Sequence, residues 1–148
     1  MTPADREARQ SVIMSLYGLQ KTLLTARGAS RALLQQADGI KQDLARGGAQ
    51  VDSLLKRVTQ TDAELDRLMS LAGSIARNIE SLNAAPLADQ RQQAAWAFAD
   101  ASRAITMLNR TTQTDLPALY SQHGGGARPR TAARVALPTN AITTTRSP

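Results

Sequence analysis

Residues 12–82 have the sequence VIMSLYGLQKTLLTARGASRALLQQADGIKQDLARGGAQVDSLLKRVTQTDAELDRLMSLAGSIARNIESL, in which apolar residues recur at alternating steps of four and three. We call this series the heptad seam. A period of 3.5 sustained over this length keeps one helix face towards a neighbouring helix and predicts a coiled-coil-like, all-α fold. The seam positions are Val12, Leu16, Leu19, Leu23, Ala26, Ser30, Leu33, Ala37, Ile40, Leu44, Gly47, Val51, Leu54, Val58, Thr61, Leu65, Leu68, Ala72, Ile75, Ile79 and Leu82.

One pair of glycines interrupts this stretch near its middle. Gly47 lies on the seam and Gly48 follows it, and two glycines weaken a helix by about 2 kcal/mol. Matched flanks on either side favour a turn, so that the stretch folds into an antiparallel helical hairpin. The unbroken heptad phase favours the alternative, a continuous rod of about 106 Å. We favour the hairpin and keep the rod as the alternative.

The rest of residues 1–123 predicts a third helix, which forms a helical bundle with the hairpin. Thr2 and Pro3 are typical of a helix start. The spacing of apolar residues predicts helices over about 3–46, 49–82 and 87–112, with an end to helical structure at residues 115–117. Two polar seam residues, Ser30 and Thr61, are expected to bond back to their own helix; the alternative is that they fix register.

Residues 124–148 form a separate basic tail behind a hinge of three glycines. They contain four arginines and no acidic residue, whereas residues 1–123 contain 14 Lys or Arg and 12 Asp or Glu. The composition predicts an extended segment that docks onto a neighbouring protein, with nucleic acid as the alternative partner. The residues assigned to docking are Arg128, Arg130, Arg134, Val135, Leu137, Ile142 and Arg146.

No constellation of side chains in this sequence predicts catalysis. Cysteine is absent, which removes disulfides and thiolate chemistry. The single histidine, His123, precedes three glycines and is expected to be a solvated loop residue. The acids Asp62, Glu64 and Asp66 are expected to lie on a solvated face of a helix. We therefore expect no enzyme activity, cofactor, metal or small-molecule substrate. No apolar run predicts a membrane span, and we expect the protein in the cytoplasm, or in a virion if it comes from a phage.

The layout of this chain is similar to that of small assembly components of bacteria and their phages. The heptad seam, the third helix and the basic tail together favour a structural subunit of a phage virion or comparable large assembly, which forms homo-oligomers by helical packing and docks its tail onto a neighbour. The alternatives are a nucleic-acid-associated module that uses the basic tail and a chaperone-like helical partner. Packing and oligomerisation are assigned to the seam residues Leu16, Leu19, Leu23, Leu33, Ile40, Leu44, Leu54, Val58, Leu65, Leu68, Ile75 and Ile79.

Overall fold

The computed structural model describes residues 2–83, 85–129, 133–140 and 142, and it confirms the predicted all-α class. The helices are α1 (Pro3–Gln35), α2 (Ala37–Asp43), α3 (Gly48–Glu80), α4 (Ala88–Arg110) and α5 (Leu116–His123). Within these ranges, no helix combines the length and the apolar character needed to cross a membrane.

The two longest helices, α1 and α3, pack against each other as the arms of an antiparallel hairpin. Gln20 Nε2 donates to the carbonyl oxygen of Met69 at 3.0 Å, and Ser30 Oγ donates to Asp62 at 2.5 Å, so positions further along α1 meet earlier positions on α3. All but two positions of the heptad seam are buried. The hairpin is therefore correct and the continuous rod is wrong.

The turn between these arms is more elaborate than a helix over 3–46 that stops at the glycine pair. The first helix ends at Gln35, and α2 and a 3₁₀ turn over Ala45–Gly47 follow before α3 begins. A hairpin must reverse the chain, and these short segments do so while Ile40 and Leu44 stay buried. A Cβ atom at Gly47 would lie 2.5 Å from the His123 ring, so any other residue at this position would have to displace that ring.

Helical structure does not end at residues 115–117, where the sequence predicts a stop. The predicted helix 87–112 corresponds to α4, which passes through a π-helical turn over Thr111–Asp115 into α5. Proline lacks an N–H and its ring crowds the preceding turn. Pro117 lies in the first turn of α5, directly after this π-helical turn. The wider turn makes room for the proline, so the chain stays helical to His123.

Helix α5 packs back onto the turn of the hairpin. Tyr120 Oη donates to Asp43 Oδ2 at 2.7 Å, and His123 Nε2 lies 2.8 Å from Gln50 Oε1. The expectation of a solvated His123 in a loop is wrong, because this residue is half-buried at the end of a helix. The two polar contacts hold α5 against α2 and the start of α3.

The buried apolar residues fall into two clusters along the bundle. The tail-end core contains Val12, Ile13, Leu16, Leu19, Leu23, Ala26, Leu65, Leu68, Ala72, Ile75, Ala76, Ile79, Ala94, Ala97, Phe98, Ala101, Ile105, Leu108, Val135 and Ile142. The turn-end core contains Leu33, Ile40, Leu44, Val51, Leu54, Leu55, Val58, Leu116, Leu119 and Tyr120. The tail-end core thus joins α1, α3 and α4 to the C-terminal segment, and the turn-end core joins the hairpin turn to α5.

Candidate docking groove

A layer of buried polar residues separates the two apolar cores. Among the described residues its members are Ser30, Thr61, Asn109, Thr111 and Thr112. The threonines satisfy their hydroxyls locally; Thr61 Oγ1, for example, donates to the carbonyl oxygen of Arg57, one turn earlier, at 2.9 Å. This is the bonding expected for Thr61 from the sequence. The layer therefore interrupts the apolar interior without leaving these hydroxyls unpaired.

Ser30 differs from the threonines because its hydroxyl also reaches the opposite helix. Its Oγ lies 2.9 Å from the carbonyl oxygen of Arg27 and 2.5 Å from Asp62 Oδ1, and Arg31 Nε lies 3.5 Å from the same carboxylate oxygen. Ser30 is fully buried. A shift of α1 along α3 by one turn would separate Ser30 from its acceptor, so this contact favours a single register of the hairpin.

A second polar contact joins the π-helical turn to α3. Asp115 Oδ2 accepts from Arg57 at 3.2 Å, and Arg110 lies 4.0 Å from the same carboxylate. Both arginines are well exposed, so these ion pairs add at most about 1 kcal/mol of stability. Their role is positional, because they align the turn that leads into α5.

The C-terminal segment, by which we mean residues 133–140 and 142, lies in a groove between α1 and α4. Val135 and Ile142 are 5% and 4% exposed and belong to the tail-end core. Asn109 of α4 holds the segment by its backbone: Nδ2 donates to the carbonyl oxygen of Val135 at 2.8 Å, and the Val135 N–H donates to Oδ1 at 2.9 Å. One amide side chain thus pairs with both backbone polar groups of Val135, as a neighbouring strand would. We call this pair of bonds the tail clamp.

The C-terminal segment does not fill the groove completely, and one cavity lies beside Val135 and another beside Leu137. One cavity of about 320 Å³ is lined by Ala29, Ala32 and the segment around Val135. A second, of about 370 Å³, is lined by Met14 and the segment around Leu137. Later tail residues therefore lie beside earlier residues of α1, and the segment runs antiparallel to that helix. Two buried anchors and one clamp hold a segment that is otherwise poorly enclosed.

The residues assigned to tail docking are not equivalent. Arg128 and Arg134 are exposed and Leu137 is 49% exposed, while Arg130 and Arg146 lie outside the described residues. The sequence predicts a neighbouring protein as the receiver of the tail, whereas Val135 and Ile142 lie in a groove of their own chain. Within the described part of the tail, Val135 and Ile142 are buried, whereas Arg128, Arg134 and Leu137 are exposed. Docking onto a neighbouring protein stays a prediction.

Every seam residue assigned to packing or oligomerisation is buried within this chain. None of the twelve is more than 3% exposed; they are Leu16, Leu19, Leu23, Leu33, Ile40, Leu44, Leu54, Val58, Leu65, Leu68, Ile75 and Ile79. The partner of the seam is the other arm of the same hairpin. Association of copies remains a prediction, and it requires a surface other than the seam.

The three acids Asp62, Glu64 and Asp66 of α3 each form an ion pair with an arginine. Asp62 faces Ser30, Asp66 accepts from Arg27 at 2.6 Å, and Glu64 accepts two bonds from Arg67. The hydrogen bonds from Arg67 lower the pKa of Glu64, and the charge of Arg67 lowers it further. The part of the chain that the structure describes contains no group of three or more His, Asp or Glu side chains placed to hold a metal.

Sequence reasoning missed the residue that holds the tail, Asn109. A signal for it exists, because Asn109 follows Phe98 by eleven residues, three helical turns, and so lies on the same flank of α4. A polar residue in line with a buried aromatic one indicates a polar contact at the edge of a core. The backbone of Val135, to which Asn109 bonds, lies 26 residues further along the chain. No periodic pattern in the sequence connects Asn109 with Val135.

No protein-family model matches this chain, and neither a curated protein nor a solved structure gives a significant match to it.

Proposed function

We propose that this protein is a non-enzymatic structural subunit of a larger assembly, such as a phage virion, whose C-terminal segment links neighbouring copies. The observation that carries this proposal is the groove between α1 and α4, which holds a non-helical segment through two apolar anchors and the tail clamp. Docking of linear segments in grooves is a common way to join protein subunits. In the assembly, the groove of one copy receives the segment of the next.

The contacts in the groove do not depend on which copy supplies the segment. Between α5 and Val135 lies a stretch that contains Gly125 and Gly126. Both have a positive φ, a backbone conformation that glycine adopts with little steric strain. The nine residues 124–132 can span up to about 30 Å when extended. Exchange of an identical element between copies keeps every native contact, which makes it a low-cost route to association.

Concentration decides between docking within one copy and docking between copies. A covalent link of nine residues gives the chain's own segment an effective concentration in the millimolar range, so an isolated copy in dilute solution holds its own tail. In an assembly, neighbouring grooves are held at comparable local concentrations. Exchange then proceeds without any loss of contacts, and each exchanged segment becomes a link between subunits.

A cross-linking experiment tests the exchange, since the native chain has no cysteine. Ala32 and Ala136 line the same cavity of the groove and both are exposed. Full-length Ala32→Cys and Ala136→Cys chains are mixed at about 1 mM, a concentration comparable with that set by a short link, and are treated with a short bismaleimide. We expect a covalent dimer that contains one copy of each variant.

Three matched chains give this experiment its controls. The double variant Ala32→Cys/Ala136→Cys should close within one chain, which establishes that the cross-linker spans the groove. Replacing Ala32→Cys by Ser70→Cys, an exposed position on α3 away from the groove, should abolish the dimer. So should adding Val135→Asp to the Ala136→Cys chain. If the double variant closes and the mixture gives no dimer, exchange does not occur and the proposal is wrong.

A second candidate function rests on the exposed arginines of the tail. Arg128 and Arg134 are exposed, and neither forms an ion pair with another described residue, so both charges are available to phosphate groups. We expect any nucleic-acid binding to weaken steeply with salt and to vanish when all four tail arginines are replaced by Ala. Binding that survives this replacement would exclude the tail as the binding element.

A further inference from the structure

Helix α4 carries a second regular stripe on the face turned away from the core. Trp96, Asp100, Arg103 and Met107 follow one another at steps of four, three and four, which places them on one face of a helix. Trp96, the only tryptophan of the chain, is 60% exposed, and Met107 is 50% exposed. Large exposed apolar residues in a row indicate a contact surface. We call these four residues the outer stripe.

The order of residues in the outer stripe is self-complementary. Its midpoint lies between Ala101 and Ser102, and an antiparallel copy of α4 placed about that point brings Trp96 opposite Met107 of the partner subunit. The same operation brings Asp100 opposite Arg103 of the partner subunit. Each residue thus faces a chemically suitable one, as a twofold symmetric interface requires.

We propose that two copies of this chain associate through their outer stripes, antiparallel and about a twofold axis, with Trp96 of each copy inserted beside Met107 of the partner subunit. This inference rests on the proposed function in one respect only, that copies of the chain associate. It names a surface for that association, which the buried heptad seam no longer provides.

A cavity beside Met107 receives the indole. This cavity, of about 420 Å³, lies between α3 and α4 and is lined by Thr61, Ala104 and Met107 with charged residues at its rim. Its volume is that of a pocket for a small ligand, which leaves room for an aromatic side chain. A thioether sulfur against an aromatic ring is a favourable contact. Because the two copies are related by a twofold axis, the Trp96 side chain of each copy fills the cavity of the other.

The charges at the centre of the stripe determine the register of the pair. Arg103 and Asp100 are already paired within one chain, one turn apart, and Arg103 is largely exposed. In the dimer each carboxylate exchanges this local partner for Arg103 of the partner subunit, and a shifted register either separates these charges or brings like charges together. Exposed ion pairs add little affinity but discriminate between registers. The affinity therefore comes from Trp96, and the orientation from the charges.

Sedimentation and tryptophan fluorescence of the full-length chain test the proposal together. A contact of this size is small, so we expect reversible dimers with a dissociation constant between about 1 µM and 1 mM. The emission of Trp96 should shift to the blue as dimers form, because the indole leaves water. Trp96→Ser should weaken dimerisation about 30-fold, whereas Leu24→Ser, at an exposed leucine on α1, should leave it unchanged.

Charge reversal distinguishes this antiparallel register from other modes of association. Asp100→Arg and Arg103→Asp should each reduce self-association, and mixing the two variants should restore it, because every charge then meets its opposite across the axis. The control substitutions Thr106→Arg and Thr106→Asp, on an exposed position of α4 outside the stripe, should give no such rescue. The proposed register is wrong if mixing Asp100→Arg with Arg103→Asp does not restore association. It is also wrong if mixing the two Thr106 variants restores association equally well.

The outcome is independent of tail exchange. Val135→Asp, which prevents tail docking, should leave the fluorescence shift intact, and Trp96→Ser should leave the cross-linking through the groove intact. A chain that remains monomeric up to about 1 mM by sedimentation, or one that dimerises with unchanged Trp96 emission, contradicts the outer stripe as the interface. Neither result alters the cross-linking outcome that decides the proposed function.

Discussion

The tail-end core and the turn-end core are built from different side chains and are closed in different ways. Six buried alanines belong to the tail-end core, namely Ala26, Ala72, Ala76, Ala94, Ala97 and Ala101, and none belongs to the turn-end core. Small side chains let α1, α3 and α4 approach closely but provide little bulk to cover the open side of three helices. That side is covered by the C-terminal segment. The turn-end core has larger side chains and is closed by α2 and α5.

This difference shows that one half of the bundle is self-contained and the other depends on a separable part. The turn-end core is closed by α2, within the hairpin turn, and by α5, which continues from α4 through the π-helical turn without a break in helical structure. The tail-end core is complete only when Val135 and Ile142 return to it after the glycine-rich stretch. Docking of Val135 and Ile142 therefore contributes to the stability of this half of the bundle.

The largest expected effect comes from opening a cavity in either core. Leu65→Ala in the tail-end core and Leu54→Ala in the turn-end core remove side chains with no exposed surface from the same helix. Each should lower the free energy of unfolding by about 2–5 kcal/mol. Urea denaturation followed by circular dichroism measures this loss. A single transition in both variants means that the two cores unfold together, and two separate transitions mean that the polar layer divides the bundle into independent units.

The tail clamp should have a smaller effect, confined to one core. Asn109→Ala removes two hydrogen bonds to Val135 and should lower the free energy of unfolding by about 2 kcal/mol, at about 1 kcal/mol for each bond. Hydrogen exchange should quicken in the parts of α1 and α4 beside the groove and stay unchanged in the turn-end core. Uniform acceleration over the whole chain would show that the two cores are not separable.

The losses in the free energy of unfolding caused by Asn109→Ala and Val135→Asp should not be additive. Both substitutions act by undocking one segment, so the double variant should lose less stability than the two single losses combined. Leu137→Asp is the control, because this residue is half-exposed and makes no equivalent anchor. It should change the stability little. Full additivity of the two substitutions would contradict a shared docking event.

A still smaller effect is expected from the polar layer. Ser30→Ala removes the hydroxyl that contacts Asp62 and should lower the free energy of unfolding by about 1 kcal/mol. Asp62→Asn, combined with Ser30→Ala in a double-mutant cycle, isolates the energy of that contact. A coupling energy near zero would mean that the hairpin register is determined by the apolar seam alone.

The smallest effect is expected at the start of α1, far from both the turn and the groove. Thr2 Oγ1 accepts from the Asp5 N–H and Asp5 Oδ2 accepts from the Thr2 N–H, both at 3.1 Å. The hydrogen bond from the Thr2 backbone N–H is the main cause that lowers the pKa of Asp5, and the Thr2 side chain lowers it further. A lowered folded-state pKa means that the contribution is present above the unfolded pKa and is lost as the pH falls through the folded pKa.

Thr2→Ala removes the side-chain contribution and keeps the backbone N–H, so the pKa of Asp5 should rise only part of the way towards its ordinary value, as measured by NMR titration. The stabilities of this variant and of the native chain should differ more at neutral pH than in acid, where Asp5 is protonated. A pKa of Asp5 that is unchanged by Thr2→Ala would show that the Thr2 side chain does not contribute to the lowered pKa.

Sequence reasoning recovered the helices far better than the connections between them. The heptad seam predicts the paired helices because its period is a local property, repeated many times along the chain. The break after Gln35, the π-helical turn before Pro117 and helix α5 each depend on how the chain closes around a core. A proline normally indicates a helix end, and only the contacts of Leu116, Leu119 and Tyr120 in the turn-end core outweigh that signal.

The same limit applies to the docking groove. The sequence predicts that Val135 and Ile142 dock, since they are apolar residues in an otherwise polar tail, but it does not identify the receiving surface. That surface is formed by α1 and α4 together, and its clamp residue, Asn109, resembles any other polar residue on an alanine-rich helix.

By itself, the sequence determined the all-α class, the buried face of each long helix, the capped start of α1 and the apolar anchors of the tail. These features follow from spacing and local chemistry, which act between residues close in the chain. The tertiary structure alone decided how the hairpin turn is built, that the polar layer separates two cores and that Val135 and Ile142 lie in a groove of their own chain. Those outcomes depend on contacts between distant residues, whose free energies are set by packing and not by sequence period.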